Sequence, residues 1–104
     1  MQVTYYGHSC FSVEFGGKHL LFDPFITPNP LAADIDSTTI RADMILVSHG
    51  HEDHVADLVS LAKQTGATVI SSFEIHTWLH ETFELSRFAR SSSCLCSFFT
   101  YTRL

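Results

Sequence analysis

Residues 44–55 read MILVSHGHEDHV, and no other stretch limits so sharply what this chain can become. Met44–Ser48 is a short, almost wholly apolar run, the mark of a strand buried on both faces of a sheet. Directly after it, four groups able to hold a cation (His49, His51, Asp53 and His54) fall within six positions. Val55, Leu58, Val59 and Ala62 then recur at i, i+3, i+4 and i+7, which predicts a helix over 54–65, with Gly66 as its stop. The cluster is therefore expected on a strand-to-helix loop at the carboxyl end of a strand, where open α/β sheets place their sites.

In an extended loop, side chains two apart point the same way, so His49 and His51 can grip one cation. Gly50 is expected to let the backbone bend between them. Asp53 and His54 then turn away at the helix start and can serve a second cation. Imidazole and carboxylate donors suit zinc, and also manganese or iron, better than calcium or magnesium. Taken singly, the residues have plainer readings: Asp53 as a helix cap, each histidine as a solvated loop residue. Taken jointly they do not, because H-x-H-x-D-H should arise by chance in only about two of every thousand chains of this composition.

Around this segment the chain alternates short strands with helices. QVTYY (2–6) and FSVEF (11–15) read as strands, the second with the period-two alternation of a half-buried one. Gly16-Gly17 supplies a tight hairpin turn, and KHLLF (18–22) returns, ended by Asp23-Pro24. From there to Asp43 the chain is loop-like, broken by Pro24, Pro28 and Pro30. ATVIS (67–71) is a second buried strand. FEIHTWLHETF (73–83) is a helix whose buried face is expected to be Ile75, Trp78 and Leu79, with His76 and His80 toward solvent. Cys10 beside Phe11 reads as a small buried hydrophobe. Cys94 and Cys96 have no partners at a metal-binding spacing.

A chain of 104 residues with 45% hydrophobic side chains can bury one core. Eleven acidic against six basic residues, net −5, argue against a nucleic-acid or anionic-membrane surface. No apolar run approaches the ~18 residues of a membrane span, and the N-terminus lacks the marks of a secretory signal. Three cysteines without a framework spacing point to a reducing compartment, so a cytoplasmic location is expected.

SHGHEDH (48–54) resembles the first metal motif of the metallo-β-lactamase superfamily. TYYGHSCF (4–11) and LLFDPF (20–25) resemble its branch of small metal-dependent hydrolases, similar to the L-ascorbate-6-phosphate lactonase group. The similarity runs from residue 2 to about residue 83. It implies an α/β (α+β) fold, an αββα sandwich, with two divalent metal ions at one edge of the sheets. His49 and His51 would bind the first and Asp53 and His54 the second, zinc before manganese or iron. A water bridging the two would lose its proton near neutral pH and attack the substrate. Asp53 would also orient that water or accept a proton as the catalytic carboxylate. His8 and Asp23 would stand behind the ligands or contact substrate, although on their own they read equally as a strand-end loop residue and a turn former. The partner implied is a small-molecule ester, lactone or phosphodiester. A nuclease is disfavoured by the acidic balance.

Members of that superfamily are about twice this length, and their second halves supply further histidines and a bridging aspartate. Here residues 1–84 read as the N-terminal half of such a domain, carrying only the first sheet and its helices. Residues 85–104, from about LSRFARSSSCLCSFF onward, break the pattern as a frame-shifted or truncated end would. Two consequences are expected. The isolated chain lacks turnover, and its uncovered sheet face drives self-association. The alternative function is a non-catalytic metal-binding or interaction fragment completed by another chain.

Overall fold

The N-terminal alternation folds as a three-stranded meander. In the computed structural model, which describes residues 1–83 in full and the backbone of 88–89 and 98–101 beyond them, β1 (Gln2–Gly7) and β2 (Cys10–Phe15) pair antiparallel, as do β2 and β3 (Lys18–Phe22). β4 (Met44–Leu46) adds parallel to β3, and β5 (Thr68–Ser72) parallel to β4. Of the last twenty residues, β6 (Phe88–Ala89) and β7 (Phe98–Tyr101) extend the sheet, giving the order β1-β2-β3-β4-β5-β7-β6. Most of the tail read as atypical, with Cys94 and Cys96, lies outside the described residues. The helices are α1 (Glu52–Val55), α2 (Leu58–Thr65) and α3 (Phe73–Phe83).

The helices cover one face of the sheet. Leu21, Ile45 and Val69 on neighbouring strands are fully buried there, in one cluster with Leu58 and Leu61 of α2 and Ile75 and Leu79 of α3. The pairing register places two apolar rows on the opposite face: Val3, Val13, Leu20 and Met44, then Tyr5, Phe11, Phe22, Leu46 and Ile70. Phe11 and Phe22 stack at 4.4 Å within the second row. Nothing among the described residues covers this face: Val3 is 59% exposed, Tyr5 67% and Phe15 66%. The expectation that the strands at 44–48 and 67–71 are buried on both faces is therefore corrected. Ile45, Val47 and Val69 are covered, whereas Met44, Leu46 and Ile70 lie on the open side.

The single helix expected over 54–65 is two helices, beginning at Glu52 and broken at Ala56-Asp57. The break has a visible cause. The amide of Asp57 donates to Pro24 O at 3.0 Å instead of to the carbonyl four residues back. The Asp57 carboxylate accepts from Ile26 N, Thr27 N and Thr27 Oγ1 at 2.6–2.9 Å. A helical pattern yields here to a tertiary clamp. Gly66 ends α2 in the left-handed conformation, φ 70°.

The face expected for α3 needs two corrections. His76 is buried at 2% exposure, and Trp78 is on the outside at 39%. Burial lowers the His76 pKa, with the charge of His80 adding to the effect. Cys10 is fully buried and its thiol is pushed up to about 11, mainly by desolvation.

The proline-rich connection from 23 to 43 is ordered by Asn29. Its side-chain amide donates to Phe25 O and Tyr6 O, and its Oδ1 accepts from Leu31 N. This draws the loop against the end of β1. Gly7 there has φ 111°, and a Cβ would stand 2.5 Å from Leu31 Cβ, so only glycine fits.

Candidate metal centre

Because β1, β3, β4 and β5 all run the same way, the segments following them meet at one edge of the sheet. His8 follows β1, Asp23 follows β3, and Ser48 to His54 follow β4. Topology alone thus gathers residues more than forty positions apart. Both His8 (φ 54°) and Asp23 (φ 45°) hold left-handed backbone conformations, which cost a non-glycine residue about 1–3 kcal/mol and persist only where the surroundings impose them. For Asp23 the constraint is evident: its amide donates to Leu46 O at 2.9 Å while its carboxylate reaches across to the next loop.

That carboxylate organises the histidines. Asp23 Oδ1 accepts from the Ser48 amide at 2.7 Å, and Oδ2 accepts from Ser48 Oγ at 2.8 Å. Asp23 Oδ2 also lies 3.1 Å from His54 Nδ1. A carboxylate offers only lone pairs, so His54 Nδ1 is the donor to Asp23 and its Nε2 is turned toward Asp53. Ser48 Oγ, whose hydrogen points to Asp23, accepts from His49 Nδ1 at 2.9 Å. His49 Nε2 is then a lone-pair atom, and it faces His51 Nδ1 at 3.1 Å. The ring centroids of His49 and His54 are 3.9 Å apart.

Asp53 lies beside this group, its Oδ1 3.7 Å from His54 Nε2. It does not cap the helix: the N-cap position is His51, with no side-chain cap bond. Asp57, four residues further on, ties the loop that follows Asp23 to the start of α2. Gly50 adopts no left-handed conformation, and a Cβ there would meet Ile75 at an ordinary 3.8 Å. The bend expected of it is not what the loop uses. His8 is exposed, its ring edge-on to Phe25 at 5.1 Å, apart from the hydrogen-bonded group of Ser48, Asp23 and the three other histidines.

The donors fit a metal in kind and, for one pair, in spacing. Two nitrogens about 2.0–2.1 Å from one zinc in a tetrahedral array lie roughly 3.3 Å apart, close to the His49–His51 separation. Among the described residues, no group of three or more His, Cys, Asp or Glu side chains is placed to hold a metal as it stands. Ser48 was not singled out from sequence. Its place between Asp23 and two histidines depends on the parallel β3–β4 pairing, and its only local signal is adjacency to the H-x-H-x-D-H motif.

The profile of the beta-lactamase superfamily domain matches residues 2–87. The chain belongs to that superfamily. A metal-dependent hydrolase of Flavobacterium johnsoniae is 50% identical over 78 residues, covering 75% of this chain and 35% of that protein. One of Methylacidiphilum infernorum is 51% identical over 81 residues, covering 78% and 36%. Among solved structures, a metallo hydrolase from the hyperthermophilic archaeon Ignicoccus hospitalis superposes with a TM-score of 0.69 at 30% identity, over 86% of this chain and 42% of that one. The chain thus spans about a third of the length of the relatives it matches. Its fold is accordingly part of the superfamily's α/β domain. Among the described residues no helix is long and apolar enough to cross a membrane.

Proposed function

We propose that this chain forms the metal-binding part of a hydrolase acting on an ester, lactone or phosphodiester. The observation that carries the reading is the facing pair of nitrogens, His49 Nε2 and His51 Nδ1 at 3.1 Å, with the His49 ring set through Ser48 by Asp23. His49 and His51 would hold one divalent cation and Asp53 and His54 a second, zinc before manganese or iron. Bound there, such cations would supply Lewis acidity that lowers the pKa of water toward neutrality.

The chain's own residues have distinct tasks. Asp23 holds the His54 tautomer and, through Ser48, that of His49. Asp53, whose side chain is 49% exposed, orients the attacking water or takes its proton. In ester hydrolysis the water oxygen joins the acyl carbon, the acyl C–O bond breaks, and the proton held by Asp53 passes to the departing alkoxide.

The uncovered sheet face favours a second reading, in which the chain is a non-catalytic module completed by another polypeptide. One experiment separates them. Zinc and manganese uptake by the chain is measured by calorimetry, with His49→Ala/His51→Ala as control. Hydrolysis of ester, lactone and phosphodiester substrates is assayed for the chain alone and mixed with a polypeptide spanning the remaining length of the Flavobacterium relative. Metal uptake lost in the double variant, with metal-dependent hydrolysis by the mixture, is the expected result. Metal uptake without hydrolysis in any mixture would leave the second reading, and no metal uptake by the chain or the mixture would overturn the hydrolase reading.

A further inference from the structure

Asp57 is a buried carboxylate to which the hydrolase reading gives no task. It is 5% exposed and occupies the N-cap position of α2, where an aspartate ordinarily accepts from the first free amides of the helix. Here it makes no such bond. Its oxygens accept instead from Ile26 N at 2.6 Å, Thr27 N at 2.9 Å and Thr27 Oγ1 at 2.6 Å. Its own amide donates to Pro24 O at 3.0 Å. One residue thus ties the segment 24–27 at four points and forgoes the cap that its position offers.

That segment begins beside Asp23, whose Oδ2 lies 3.1 Å from His54 Nδ1. The turn after β3 and the helix after β4 are therefore joined by two struts, Asp23 to His54 and the segment 24–27 to Asp57. Between the struts lies α1, a single turn, Glu52–Val55, that carries both Asp53 and His54. A turn this short has little stability of its own. The apolar spacing of Val55, Leu58, Val59 and Ala62 favours its fusion with α2 into one unbroken helix. In such a helix the Asp57 amide would donate to Asp53 O, four residues back. The bonds to the segment 24–27 are what prevent the fusion.

We propose that Asp57 is a positioning residue of the candidate metal centre. By fastening the segment 24–27 to the chain between α1 and α2, it keeps α1 a separate turn, with His54 against Asp23 and Asp53 beside His54. The proposal rests on the hydrolase reading, which gives Asp53 and His54 to the second cation. It adds a residue that touches neither cation nor substrate.

The test reads the histidines chemically. Diethyl pyrocarbonate acylates neutral imidazole that solvent can reach, and peptide mapping by mass spectrometry gives a rate for each histidine of the 104-residue chain. In the metal-free wild-type chain, His54, with its side chain 13% exposed, and His76, 2% exposed, should both react slowly. Asp57→Ala removes the three side-chain bonds and favours helix. It is expected to speed His54 about tenfold or more, while His76, buried on α3, stays protected. Thr27→Val removes one of the three bonds at an exposed position and should speed His54 roughly threefold.

An unchanged His54 rate in Asp57→Ala overturns the proposal. So does a joint rise of His54 and His76 in both variants, which would make Asp57 a stabiliser of the whole fold. If Asp57→Ala alone exposes both histidines, Thr27→Val decides: a faster His54 beside a protected His76 supports the proposal, and an unchanged His54 overturns it. Zinc separates this outcome from the hydrolase reading. Added zinc should slow His49, His51 and His54 in the wild-type chain, and in Asp57→Ala it should slow His49 and His51 but leave His54 fast. Equal protection of His54 in the two chains would overturn the proposal. Zinc that slows none of the three in the wild-type chain would overturn the cation reading instead, and the metal-free rates would still decide what Asp57 holds.

Discussion

His54 Nδ1 and Asp23 Oδ2 stand 3.1 Å apart, joining the helix after β4 to the turn after β3. The same carboxylate takes both the amide and the hydroxyl of Ser48, so one residue sets two imidazoles. Asparagine at 23 would keep the backbone and the size but place an amide where two donors now converge. Asp23→Asn is therefore expected to weaken zinc binding by roughly 10–100-fold, read by calorimetry. Unchanged affinity would show that the histidines orient themselves.

Asp53 makes no capping bond, so its replacement should leave the fold alone. Asp53→Asn and Asp53→Ala are each expected to change stability by no more than about 0.5 kcal/mol. In the enzyme completed by the remaining length of a relative, both should lower kcat by at least about 10²-fold. Near wild-type turnover by Asp53→Asn would refute the catalytic role.

Gly7→Ala places a methyl group 2.5 Å from Leu31 Cβ and forces alanine to φ 111°. Destabilisation well above ~1 kcal/mol is expected, visible as a lowered denaturation midpoint. Because the loop pinned by Leu31 and Asn29 begins at Asp23, metal affinity should fall with it.

The open face of the sheet spans five strands and carries Val3, Tyr5, Phe15 and Met44 exposed. A contiguous apolar surface of this kind marks an interaction site on a soluble chain. Expressed alone, the chain is expected to self-associate or aggregate and to show no hydrolysis with added zinc or manganese. Val3→Lys/Phe15→Lys should shift it toward monomer in sizing chromatography with light scattering. A stable wild-type monomer would count against this.

His76 is buried and its pKa is lowered, so the unfolded chain binds a proton more readily than the folded one. Its contribution to stability is complete above the ordinary histidine pKa and is lost as pH falls below about 6.5. The thermal midpoint should drop between pH 7.5 and 5.5, and His76→Phe should flatten that drop. An equally steep drop in His76→Phe would assign the dependence to other groups.

Local pattern determined most of the elements. Strand alternation at Phe11, Val13 and Phe15, the turn at Gly16-Gly17, the stop at Gly66 and the helix over 73–83 all follow from interactions between near neighbours, which sequence spacing records. The clustering of His49, His51, Asp53 and His54 is legible for the same reason, since they lie within six positions of one another. Only tertiary contact decided the rest. The break at Asp57 comes from Pro24, Ile26 and Thr27, some thirty positions away, and overrides a sound helical period. The burial of His76 and the exposure of Trp78 depend on how α3 is rotated against the sheet, which a helix with apolar groups on more than one side does not specify. The tautomers of His49 and His54 are set by Asp23 through Ser48, and no spacing in the chain contains that link. It exists because β3 and β4 lie side by side in parallel, bringing their carboxyl ends, and the groups that follow them, to the same edge.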